Sequence, residues 1–401
     1  MAKRLPIAVK AGVAVLAGAT TFATSLLATS AVTLGRQVVT LPSNTKDPVK
    51  LLGHEPDPAT DGRTGTVTLE RTVESAAAGE FTMLWRQGAG RARLLERIAS
   101  TEHSVTRRYA DAHGVPLTET RAVRLASAPQ LGVGDLGLPW EEVEIATELG
   151  AAPAWFIPAT NAEASERGDW CIHVHGRGAT LTEPLRTVPL VAERGWHSLV
   201  VRYRNDPGAP RGYRGKSGLG LTEWRDVDAA MEWAVSRGAR RIVLVGWSMG
   251  GAIAVQAALR SPFADRVCGL MLESPALDWH ETLISQAAQM RVPEWVARTG
   301  IALLDSPLAR PILGTEGPIK LAELDVVERA DELRWPVLVL ASMGDTVVPV
   351  GGAQRLAQTR PDIVTYIEFT RARHTRLWNT DREHWERAVG RWFDAHEDTE
   401  R

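Results

Sequence analysis

From Trp140 onward the chain alternates between short apolar runs and segments with helical spacing, and this alternation constrains the fold more than any other feature. The runs are VEIATEL (143–149), APAWFI (152–157), WCIHV (170–174), SLVVRY (198–203), RIVLVGW (241–247), VCGLMLE (267–273), PVLVLAS (336–342) and IVTYIEF (363–369). Between two of them, TEWRDVDAAMEWAV places Trp224, Val227, Met231 and Ala234 on one helical face. Continuous apolar strands separated by amphipathic helices require a sheet covered on both sides, and such sheets are mostly parallel. The expectation is an α/β fold: a doubly wound, mostly parallel eight-stranded sheet.

Upstream the character changes. The first ten residues carry Lys3, Arg4 and Lys10, and no charged residue follows between Ala11 and Gly35. A basic start before an apolar stretch is the layout of an export signal or signal anchor. The stretch is long enough for a bilayer but rich in Ala, Thr and Ser, and Thr29-Ser30-Ala31 would serve as a cleavage site. Residues 1–35 are therefore expected to place the rest of the chain outside the cytoplasm, membrane-anchored if uncleaved and secreted if cleaved. A Pro-, Asp- and Gly-rich linker over 36–63 and a small, mainly β module over 64–130 follow, leaving 131–401 for the α/β domain.

Composition excludes several classes. A net charge of −2 and no long basic run argue against nucleic acid as a partner. Two cysteines, Cys171 and Cys268, both in apolar runs, read as buried thiols rather than a disulfide framework. No internal repeat is visible, which argues against a solenoid or propeller.

The most informative stretch is LVGWSMGGA (244–252). RIVLVGW reads as a buried strand and GGAIAVQAALR as the helix after it, so Ser248 sits on the turn between them, at the carboxyl edge where open α/β sheets place their sites. Gly246, Gly250 and Gly251 allow a turn too crowded for side chains, which lifts the serine hydroxyl clear. The Lys and the longer glycine spacing of a phosphate-binding loop are missing. A serine hydroxyl becomes a nucleophile when an imidazole takes its proton and a carboxylate holds the imidazole. Asp345 follows the PVLVLAS strand, and His374 follows the IVTYIEF strand. The competing His384 falls inside the predicted last helix, about 381–395. Two backbone donors should face the developing oxyanion: the N–H of Met249, and an N–H of the HGRG loop, with Arg177 the candidate and Gly176 second. His173 and His175 project from one side of a strand, but no third ligand accompanies them, so no metal and no cofactor is expected.

HGRG, GWSMGG, GDTVVP and the isolated His374, in that order, resemble the α/β-hydrolase superfamily of serine hydrolases over about 141–393. The resemblance implies Ser248 as nucleophile, Asp345 as acid, His374 as base and an oxyanion hole at Met249 and Arg177. It also suggests that Tyr203, Asn205 and Asp206 either line the site or form turns. In this superfamily the long insertion at 275–334 looks like a helical cap, here with Leu283, Ile284, Ala287, Met290, Val292, Trp295 and Val296. No cluster of acids or arginines lies in its stretch HETLISQAAQMRVPEWVARTGIALL (280–304) to receive charge, so the expected substrate is a small-molecule acyl ester, uncharged and of small to medium size. Peptidase, acyltransferase and non-catalytic binding readings stay open, although a binding role needs neither the triad nor the oxyanion donors.

Overall fold

The computed structural model describes residues 29–42, 47–160 and 166–396. All eight predicted strands form one sheet: β7 (Glu141–Thr147), β8 (Gly150–Ile157), β9 (Asp169–Val174), β10 (His197–Val201), β11 (Arg241–Trp247), β12 (Val267–Glu273), β13 (Val337–Ser342) and β14 (Val364–Phe369). The strands lie in the order β14-β13-β12-β11-β9-β10-β8-β7, numbered here so that β1 to β6 belong to the upstream module. β7–β8 and β8–β10 pair antiparallel; the other neighbours are parallel.

Alternate residues of the central strands feed two cores. Ile242 and Leu244 of β11 join one apolar cluster, whereas Val243, Val245 and Trp247 join the other. That two-sided burial is why the strand reads as a continuous apolar run. The helix predicted after β10 spans Trp224–Ser236 and buries Val227, Ala230, Met231 and Ala234. Cys171 is buried and Cys268 half-buried, both as free thiols, and burial pushes the Cys268 pKa up to about 11.

The β module is a closed six-stranded barrel: β1 (Val49–Pro56), β2 (Gly65–Glu70), β3 (Phe81–Trp85), β4 (Gly90–Ser100), β5 (Ser104–Gly114) and β6 (Ala122–Ala126), ordered β1-β2-β5-β4-β3-β6. It starts earlier than the sequence suggests. Residues 49–56, read as linker, form the strand that closes the barrel by pairing Val49 with Val123 and Leu51 with Leu69. The stretch RARLLERIASTEHSVTRRYA (91–110) makes up most of the β4–β5 hairpin. Phe81, Met83 and Trp85 point inward at strand spacing, with Val67, Leu69 and Leu94 opposite.

Most of the predicted export or anchor segment lies outside the described residues. Its described end is helical over 29–39, and Ala31 and Val39 are buried against the rest of the chain. Among the described residues no helix is long and apolar enough to cross a membrane.

Candidate active site

The carboxyl ends of β11 to β14 share one edge because their register is aligned: Trp247 pairs with Glu273, Glu273 with Leu340 and Ser342 with Phe369. Ser248 follows β11 with φ 53° and ψ −119°, a conformation that side chains avoid. Three bonds hold the turn. The Ser248 N–H donates to the Glu273 carbonyl at 3.0 Å, and the Ser248 carbonyl accepts from the N–H groups of Gly251 and Ala276 at 3.0 and 3.1 Å. The glycines answer to close approach. A Cβ on Gly246 would stand 2.5 Å from the Gly250 carbonyl oxygen, and one on Gly250 would stand 2.1 Å from that of Val174.

Ser248, His374 and Asp345 meet across this edge. The Ser248 Oγ–H donates to His374 Nε2 at 2.9 Å, and His374 Nδ1–H donates to Asp345 Oδ2 at 2.7 Å. The Asp345 carboxylate is buried, and its other oxygen accepts from the N–H groups of Val347 and Val348 at 2.8 and 3.0 Å. Those bonds orient the carboxylate, which in turn fixes the imidazole with its Nε2 lone pair toward the hydroxyl. His384 lies on helix Arg382–Ala395, stacked edge-on against Phe369 at 4.9 Å.

Met249 opens helix Met249–Arg260, where a first-turn N–H has no intrahelical carbonyl to bond. The HGRG loop passes beside the serine: a Cβ on Gly176 would be 3.3 Å from Ser248 Cβ. The N–H of Gly176, the second oxyanion candidate, donates to Glu183 Oε2 at 2.7 Å. Arg177 follows it in the loop, and its guanidinium donates to the carbonyls of Gln37 and Thr40 at 3.0 and 2.5 Å, tying the loop to the N-terminal segment.

Tyr203 and Asp206 hold the HGRG loop through its His175 and Gly176. His175 Nε2 contacts Asp206 Oδ2 at 2.8 Å, Asp206 accepts from the Tyr203 N–H at 2.9 Å, and the Tyr203 hydroxyl donates to the Gly176 carbonyl at 3.1 Å. Burial opposes a charged His175, but Asp206, the Gly176 carbonyl and Glu183 together outweigh it and its pKa is raised. Asn205 is a turn former with φ 76°, its side chain bonded to Gly212 N–H and the Lys216 carbonyl. His173 contacts Ser198 Oγ at 3.0 Å, and burial lowers its pKa to about 3.

The cap consists of helices Trp279–Gln289 and Glu294–Asp305 with shorter turns after them. Gln286 and Gln289 donate to the carbonyls of Val347 and Thr346, so the cap is tied to the Asp345 loop. A cavity of about 100 Å³ lies between the cap and helix 29–39, lined by Leu34, Val38, Leu283, Met290, Ile301 and Arg177, among others.

Sequence reasoning missed the supports on the histidine side. Asn379 donates to the barrel carbonyls of Glu80 and Ser127, the latter at 2.7 Å, and Arg376 donates to that of Leu125 at 3.2 Å. Thr375, at φ 51°, is held by Arg186 on its carbonyl and Ser274 on its N–H. No local pattern announces these pairs, since their members are 101 to 299 residues apart.

A family described as "Alpha/beta hydrolase family" matches residues 171–400, more than half of the 401. A family described as a domain of unknown function matches residues 58–126, within the barrel. No curated protein matches the chain in sequence. Among solved structures, an esterase from Pyrococcus furiosus is similar at 19% identity and a TM-score of 0.50, covering 67% of this chain and 96% of its own. A puromycin-hydrolyzing peptidase from Mycobacterium tuberculosis is similar at 17% identity and a TM-score of 0.51, covering 87% of this chain and 54% of its own. With the strand order, the serine turn and the sequence match in agreement, this chain belongs to the alpha/beta hydrolase family.

Proposed function

We propose that this hydrolase cleaves a carboxylic ester with an uncharged, apolar acyl group, through an acyl-enzyme on Ser248. The observation that carries the proposal is the continuous path from Ser248 Oγ to His374 at 2.9 Å and from His374 to Asp345 at 2.7 Å. Ser248 Oγ attacks the ester carbonyl carbon while its proton passes to His374 Nε2. The N–H groups of Met249 and Arg177 receive the oxyanion. Collapse of the tetrahedral intermediate breaks the ester bond, and His374 returns the proton to the departing alcohol. Water, deprotonated by the same imidazole, then releases the acid.

The cavity under the cap favours a short acyl chain, because its volume of about 100 Å³ is below the roughly 150 Å³ that takes a benzene molecule. Arg177 lines this cavity and sits in the loop beside Ser248, which supports placing the acyl group there. Peptide hydrolysis is the second reading, and the esterase and peptidase neighbours share the fold without separating the two. A chain-length series of nitrophenyl esters beside peptide amides separates them: ester turnover is expected, and peptide cleavage with no ester turnover would favour the peptidase.

Labelling with a fluorophosphonate should mark the wild type and fail with Ser248→Ala; persistent labelling refutes the nucleophile. Removal of Ser248 or His374 should lower kcat by about 10⁴- to 10⁶-fold. Asp345→Asn should cost less, since it disturbs the imidazole without deleting a reacting group. Near-normal turnover in Asp345→Asn would move the acid elsewhere.

A further inference from the structure

We propose that the cleft between the barrel and the catalytic sheet binds a carboxylate on the leaving-group side of the substrate. This rests on the ester-hydrolase reading above, and it confines the uncharged character of the substrate to its acyl half.

The cleft has a volume of about 620 Å³ and is lined by Arg91 and Arg124 from the barrel and by Arg177, Thr375 and Arg376 from the catalytic domain. Among the described residues that line it, Glu183 is the one acid, and its carboxylate is already bonded to the Gly176 N–H. Arg124 Nε, Arg177 Nε and Arg376 Nη1 are buried with no hydrogen-bond partner among the described residues. Asp47 and Glu74 act on Arg124 and Arg376 only through their charge, and burial, the larger influence, lowers the pKa of both guanidiniums. Buried donors on a cation are costly to leave unpaired, and a guanidinium fork fits a carboxylate. Arg376 is also held in place, over the Phe81 ring at 5.4 Å with one nitrogen on the Leu125 carbonyl.

Position gives the cleft its role. Thr375, in its wall, is next in sequence to His374, the group that returns a proton to the departing alcohol. A leaving group protonated there exits toward this cleft. Arg177 lines both the cap cavity and the cleft and follows Gly176, where a Cβ would be 3.3 Å from Ser248 Cβ, and in this proposal the two halves of the ester lie on either side of this loop.

The probes are phenyl butyrate and 3-(butyryloxy)benzoate, which differ by one carboxylate on the leaving group. The wild type should favour the benzoate about tenfold in kcat/KM, as expected for one charge-assisted hydrogen bond. Arg124→Gln should abolish that preference through KM and leave phenyl butyrate unchanged. Arg91→Gln, a more exposed substitution, should weaken the preference about threefold and serves if the first variant does not fold. The second readout is calorimetry on Ser248→Ala, which should bind 3-(butyryloxy)benzoate more tightly than phenyl butyrate until Arg124→Gln is added. If neither ester is turned over but the Arg124-dependent binding persists, the ester reading fails and the anion site stands. Turnover of phenyl butyrate with no preference for the carboxylate and no Arg124 dependence in either readout overturns the anion site and leaves the ester reading intact.

Discussion

Two regions cover the edge of the sheet where Ser248 lies, and they do so by different physics. The cap at 275–334 covers it with helices whose apolar faces enclose a cavity, and glutamine side chains tie it to the Asp345 loop. The barrel covers the other side with polar contacts: Asn379 and Arg376 reach its carbonyls, and arginines line the space between. In the function proposed above, the first cover selects by shape and apolar area, whereas the second holds the histidine loop and offers charge. A single edge thus carries two unlike covers, one apolar and one rich in arginine.

The comparison can be broken most directly at the cap. Ala287 is buried in the cavity wall, so Ala287→Trp should fill the space. In the wild type, two extra CH₂ groups at about 0.8 kcal/mol each should favour butyryl over acetyl esters about fifteenfold in kcat/KM. The variant should bring that ratio close to one while acetyl turnover persists. An unchanged ratio would mean that the acyl chain binds elsewhere.

A smaller effect is expected on the barrel side, and of another kind. Asn379→Ala removes both side-chain bonds to the barrel and loosens the His374 loop. We expect kcat to fall about fivefold for acetyl and butyryl esters alike, because misplacing the base slows chemistry whatever the acyl length. A change confined to the longer chain would dissolve the distinction between the two covers.

A third test leaves catalysis aside and probes the strand beneath both. His173 is fully buried on β9, and its folded pKa of about 3 lies below the unfolded value near 6.5. Between these values the unfolded chain holds the extra proton, so this group's contribution to stability is present above pH 6.5 and is lost as pH falls toward 3. The loss from pH 7 to pH 5 is about 2 kcal/mol. His173→Gln should remove that part of the pH dependence in urea unfolding, and an identical pH profile would assign the acid sensitivity to other groups.

The strand pattern was legible for a physical reason that the barrel pairings lack. RIVLVGW matches β11 residue for residue because burial on both faces writes itself into every position of a short segment. The serine turn was legible because only glycine tolerates backbone at 2.1 to 2.6 Å from where a Cβ would stand. Strand β1 was hidden because LLGHEP lacks that burial pattern: most of its residues are half-exposed or exposed on a barrel wall. Its assignment depends on pairing with β2 and β6.

The sequence by itself therefore determined the sheet, the serine turn and the order in which Asp345 and His374 follow it. Each of these is encoded within a window of a few residues by periodicity or by the need for glycine. Only the tertiary structure decided that Glu183 takes the Gly176 N–H, that Arg177 reaches back to Gln37 and Thr40, and that Asn379 reaches the barrel. Those choices depend on which unpaired donors and acceptors come to lie side by side once the chain has packed. Residues as far apart as Asn379 and Glu80, 299 positions in sequence, carry no local trace of that meeting.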